Sequence, residues 1–172
     1  IRDGDLVSLD AGAVCDGFYA DAATTVGVGS VTPAARRLME ITRQALEAGI
    51  AQVRPGHRLS DISHAVQEVV ERGGFGVVRD FVGHGIGRAM HEEPPIPNFG
   101  PPNMGPRLKA GMVLAIEPMV TMGRYDVKIL ADGWTAVTVD GSWAAHSEHT
   151  IAITPDGAEV LTEAVHAERR SR

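Results

Sequence analysis

The stretch Leu6–Gly29, LVSLDAGAVCDGFYADAATTVGVG, decides the fold: two apolar, β-prone arms flank a turn-rich centre at Cys15-Asp16-Gly17, and each arm carries one carboxylate. A hairpin with a loop over Val14–Gly17 pairs Ala13 with Phe18 and sets Asp10 directly opposite Asp21. Facing residues of an antiparallel pair share one side of the sheet, with Cβ atoms about 4.5–5.5 Å apart. Two carboxylates that close repel, and burying them unpaired costs several kcal/mol or forces one to protonate. Taken alone, the hairpin leaves two readings open: a cation between the aspartates, or a different register with both exposed at strand ends.

Thr32 followed by Pro33 predicts a helix start, a capping hydroxyl and then proline at the first helical position. Leu38, Ile41, Ala45, Leu46, Ile50 and Val53 follow at helical spacing until Pro55-Gly56. A second helix starts near Ser60, with Ile62, Ala65, Val66, Val69 and Val70 as its buried stripe, and ends at Gly73-Gly74. Gly76–Val82 reads as a strand, and Gly83–Arg107 as a long irregular loop, a type of segment that is usually functional. Strands return over Gly111–Met122, Tyr125–Leu130, Trp134–Val139, Ser147–Thr154 and Ala158–Leu161, with Asp-Gly turns between several of them. The expectation is an α+β fold, helices covering one face of a curved, mostly antiparallel sheet. Residues 1–161 are expected as one domain and residues 162–172 as a polar tail.

The chain has 172 residues, 44% hydrophobic and 22% charged, ordinary for a globular domain with a real core. A net charge of −6 argues against nucleic acid as a partner, and no apolar run is long enough to span a membrane. The single cysteine, Cys15, excludes an internal disulfide and fits a reducing, cytoplasmic setting. Ile1 leads straight into a strand, as though the sequence began partway through a fold.

Further polar residues break their surroundings. His84 lies among glycines, whose small size lets the backbone crowd a ligand; Glu117 interrupts MVLAIEPMV; Glu148 opens the apolar strand SEHTIAIT; and His91 shares the loop of His84. Each alone reads equally well as an outward-facing strand residue or a turn residue. Together, Asp10, Asp21, His84, Glu117 and Glu148 make four carboxylates and one imidazole, a natural environment for two divalent metals about 3.5–4 Å apart. Oxygen-rich ligation favours Mn, Fe, Co or Zn over a thiolate site. Other motifs fail: His91-Glu92-Glu93-Pro94-Pro95 is not HExxH, the glycines from 83 to 87 do not make GxGxxG, and no GxSxG is present.

The stretches LVSLDAGAVCDGFYAD, GHGIGRAMHEEP, GMVLAIEPMV and SEHTIAIT, in order and at fitting intervals, resemble the methionine aminopeptidases of the pita-bread fold, the bacterial type I enzymes above all. The resemblance implies that Asp10 binds one metal, that Asp21 and Glu148 bridge both, and that His84 and Glu117 complete the second. It implies Glu117 as general base and His91 as the group holding the tetrahedral intermediate, with Met90 and Trp134 beside the methionine pocket. By the same resemblance a hydroxide shared by two metals removes the N-terminal methionine of nascent polypeptides at the ribosome; a monomer is expected.

Three departures from the family pattern stand out. Tyr19-Ala20 replaces the usual His-Gly, Met90 replaces a phenylalanine, and the segment that in the family precedes this point is absent, so the chain is expected to be a fragment. A prolidase or aminopeptidase P shares the fold and ligand types. Met119 in place of its glycine and Ser147-Glu148-His149-Thr150 in place of its arginine-containing motif count against that reading. A non-catalytic pita-bread binding module would be expected to lose ligands, and all five are present.

Overall fold

In a computed structural model of the chain, residues 1–163 are described. The tail expected over residues 162–172 therefore lies, from residue 164 on, outside the described residues. The first hairpin pairs β1 (Leu6–Cys15) with β2 (Phe18–Gly27). Its register differs from expectation. Cys15 pairs with Phe18, so the loop is only Asp16-Gly17, both at positive φ (50° and 80°). Asp-Gly is the favoured pair for such a two-residue turn, because its backbone matches the twist of the strands. Asp10 consequently pairs with Ala23, and Asp21 with Gly12. The aspartates stay on one side of the hairpin but stand diagonally, two residues apart in register.

Helix α1 (Pro33–Ala51) begins where Thr32 accepts a hydrogen bond from the Ala35 N–H at 3.1 Å. Helix α2 (Leu59–Arg72) starts one residue ahead of Ser60, with the Asp61 carboxylate reaching back to the Arg58 N–H at 2.8 Å. The two helices pack on each other and turn their buried stripes toward the strands.

The strand region is finer-grained than its sequence pattern. β3 is only Gly76–Val77, and the stretch expected as loop contains β4 (Gly83–Gly85) and β5 (Glu92–Ile96). The apolar run from Gly111 splits at Glu117-Pro118 into β6 (Val113–Ile116) and β7 (Met119–Thr121), since proline cannot donate to a continuing ladder. β8 (Val127–Ile129) and β9 (Ala136–Thr138) form a separate hairpin. β10 (Ala144–His146), unforeseen in the sequence, precedes β11 (His149–Thr154) and β12 (Gly157–Val160).

These strands pair antiparallel in the orders β10-β7-β3 and β12-β11-β6-β4-β5. Gly83 and Gly85 serve this pairing. A Cβ at Gly83 would run into the Ala115 carbonyl, and one at Gly85 into the Glu93 carbonyl. The glycines let strands approach, where the sequence suggested they made room for a ligand.

One core joins α1 and α2 to the five-stranded sheet through Leu46, Ile62, Leu114, Ile116 and Ile151, while a second joins them to the three-stranded sheet through Leu38, Val66, Val70, Val120 and Ala145. The hairpin β1–β2 lies across the junction of the two sheets, tied by a bridge between Ala23 and Glu148. No helix among the described residues is long and apolar enough to cross a membrane.

A candidate metal centre

The junction beneath the hairpin is where the unusual polar residues meet. The Thr150 hydroxyl accepts from the Asp21 N–H and donates to the Asp21 carbonyl, each at 2.8 Å, fixing the backbone that carries the Asp21 carboxylate. Two residues on, Glu148 N–H donates to the Ala23 carbonyl at 2.8 Å. The main chain under Asp21 is thus held by the Thr150 side chain, and that under Glu148 by the main chain of Ala23.

His84 lies on β4, buried between β5 and β6. Its Nδ1 lies 2.9 Å from the Gly85 carbonyl, which can only accept, so Nδ1 carries the hydrogen. In the neutral ring Nε2 then holds a lone pair, 3.5 Å from Glu117 Oε1. Two acceptors facing one another repel, so this geometry calls for a cation between them or a proton on the ring. Glu117 itself sits at the break between β6 and β7, its carbonyl accepting from Asn98 Nδ2 at 3.0 Å.

Ligand atoms of Asp21, His84 and Glu148 gather within 4.8 Å of one another. Glu148 is 2% exposed, and its Oε1 is buried without a hydrogen-bond partner among the described residues. Burial, and after it the charges of Glu117, Asp21 and Asp10, push the Glu148 carboxyl up to about 9. Asp21 is raised as well, by burial first and then by Asp10. An orphaned buried carboxylate oxygen beside an imidazole lone pair and further carboxylates fits a divalent cation, which would satisfy the oxygen and cancel the repulsion.

The remaining predicted residues take graded positions. Asp10 is exposed and lines, with His84, His91 and Glu117, an open cleft of about 730 Å³. The His91 ring leans on His84, centroids 4.3 Å apart. Met90 lies over Gly12, its Sδ–Cε end filling the space a side chain there would take, next to Asp21 Oδ1. Trp134, expected within a strand, sits instead in the turn before β9, 88% exposed at the apolar end of the cleft with Phe81 and Ile129. The Asp132 carboxylate holds that turn by accepting from the Trp134 and Thr135 N–H groups at 3.0 and 2.9 Å.

One residue escaped the sequence reading. His146, at the end of β10, lines the same cleft and places Nε2 3.6 Å from Glu117 Oε2. Its only signal was its place two residues ahead of Glu148, which nothing in the local pattern marked as a strand.

The chain matches metallopeptidase family M24 over residues 1–155. It is 56% identical over 162 residues to the methionine aminopeptidase of Clostridium perfringens, an alignment covering 94% of this chain and 65% of that protein. The crystal structure of a methionine aminopeptidase from Thermotoga maritima superposes with a TM-score of 0.93 at 55% identity, covering 95% of this chain and 66% of that one. A prolidase from Pyrococcus furiosus superposes less well, with a TM-score of 0.74 at 28% identity over 96% of this chain and 43% of that one. The chain thus spans 65% of the length of the curated relative it matches.

Proposed function

This chain belongs to metallopeptidase family M24, with its pita-bread α+β fold, and on that premise we propose that it carries the catalytic centre of a methionine aminopeptidase. The reading is that it removes the N-terminal methionine of nascent polypeptides. The observation that carries it is the convergence of Asp21, His84 and Glu148 around an orphaned buried oxygen, in a chain 56% identical to a methionine aminopeptidase. In this reading residues 1–161 make up the catalytic domain.

Asp21, His84 and Glu148, with Asp10 and Glu117 beside them in the same site, would hold the divalent metal, two ions on this reading. When bound, such ions supply Lewis acidity and water of lowered pKa. Mn, Fe, Co and Zn all suit four carboxylates and an imidazole.

The chain's own residues do the rest. Glu117, largely buried in the floor of the cleft, takes the proton of the attacking water as general base. His91, held against His84, faces the cleft from the side where the scissile carbonyl would lie, and steadies its developing negative charge. Phe81, Ile129 and Trp134 offer apolar surface for the methionine side chain, and Met90 bounds the hairpin side. We read the protein as a cytoplasmic monomer meeting its substrates near the ribosome; the free Cys15 supports a reducing compartment.

Elemental analysis of the purified protein, alongside release of methionine from a Met-Ala-Ser peptide, tests this. Two divalent ions per chain with methionine released is the expected result. Cleavage restricted to X-Pro bonds would replace the reading with a prolidase, and bound metal without any release would replace it with a binding module.

A further inference from the structure

We propose that His146 is a positioning residue for Glu117: a second imidazole, across that carboxylate from His84, that sets the angle at which Glu117 faces the metals. The inference rests on the metallopeptidase reading above. Glu117 is contacted from both sides, His84 Nε2 lying 3.5 Å from Oε1 and His146 Nε2 3.6 Å from Oε2. His146 Nε2 is buried and has no hydrogen-bond partner among the described residues. A buried ring nitrogen left unpaired is destabilising, and the carboxylate it faces is Glu117.

The ring's placement is built into the fold. Strand alternation across β10–β7 turns Ala145 and Val120 into the core, and with it His146 and Met119 toward the cleft. The Thr25 hydroxyl grips the His146 main chain from both sides, accepting from its N–H and donating to its carbonyl at 2.8 Å each. Ser8 lies 2.8 Å from the same Thr25 hydroxyl, so both strands of the first hairpin brace His146.

The close set of donor atoms comprises Asp21, His84 and Glu148, while His146 faces the other oxygen of Glu117. A ring N–H donated to Oε2 would leave Oε1, the oxygen beside His84, for the metal. Removing such an outer partner typically weakens metal affinity about 10–100-fold.

Calorimetric titration with Co²⁺ alone, paired with the visible spectrum of the Co²⁺-loaded protein, tests the proposal on wild type and on His146→Phe, His146→Asn and His146→Gln. The expected result is affinity lowered about 10–100-fold in the Phe and Asn variants, with the absorption bands displaced as Glu117 turns, and both largely restored by Gln, whose amide reaches as a donor. Should His146→Phe fail to fold, the contrast between Asn, too short to reach, and Gln decides. Equal affinity in wild type and the Phe or Asn variants overturns the inference alone. So does a loss that Gln fails to restore, which would make His146 a ligand, since an amide does not replace a ligating imidazole. Wild-type protein that takes up no Co²⁺ overturns the metallopeptidase reading and the inference with it.

Discussion

The Thr150 hydroxyl spans the Asp21 peptide, bonding its N–H and its carbonyl at 2.8 Å each, and so joins β11 to β2 where no regular ladder runs. Thr25 does the same for His146. Two threonines thus set the main chain under two side chains of the candidate centre.

Thr150→Val keeps the shape of the buried side chain but strands both polar groups of Asp21. It should lower stability by about 1–3 kcal/mol and weaken metal uptake, while Thr150→Ser restores both. Denaturant unfolding and Co²⁺ titration of the same preparations check this.

Glu148 sets a pH dependence. Its carboxyl stands at about 9 in the fold against an ordinary 4.5, because it is buried among other carboxylates. Between those values the folded chain keeps a proton that the unfolded chain has lost, so stability falls as pH rises. Thermal melting of EDTA-stripped protein should therefore decline from pH 5 to pH 9, and metal-loaded protein, whose cation holds Glu148 ionised, should decline less. Parallel curves would contradict the assignment.

Glu117→Gln should leave the fold intact and slow methionine release about 10²–10⁴-fold, the usual range for loss of a general base. Initial rates on a Met-Ala-Ser peptide at saturating metal give the figure.

Gly85→Ala drives a methyl group into the Glu93 carbonyl, a backbone atom that cannot swing aside. Overpacking of this kind costs about 1–3 kcal/mol. The variant should lose stability by that amount and bind Co²⁺ more weakly, because β4 carries His84.

Asp132→Ala frees the turn that presents Trp134. The Thr135 hydroxyl first, with the Trp134 and Thr135 N–H groups, lowers the Asp132 carboxyl to about 2, so its hold is complete above its ordinary 3.8 and fades as pH falls toward 2. At neutral pH the substitution should raise KM for methionyl peptides with little change in kcat, and carboxyl NMR of the wild type should show the acidic midpoint.

The five candidate donors were legible because each violates its own neighbourhood, a carboxylate in an apolar strand or a histidine between glycines. Their approach to one another was legible only in part. Side-chain parity put Asp10 and Asp21 on one face in either register, while the preference of Asp-Gly for a two-residue loop, which decides the register, was passed over. Ala144-Ala145-His146 and Gly83-His84-Gly85 carry no β-propensity; they are strands because β7 and β6 lie beside them. His146 was hidden for that reason, and Trp134 was placed in a strand because an aromatic favours one, although the Asp132 carboxylate holds it in a turn.

The bridge between Ala23 and Glu148 is a seam between two stretches of the polypeptide that lie far apart in sequence. A ribosome delivers Asp10 and Asp21 well before their counterpart Glu148. Until β11 is threaded home the first hairpin lacks its partner Glu148. A chain proposed to trim newborn proteins thus lacks part of its own candidate centre until Glu148 has itself been born.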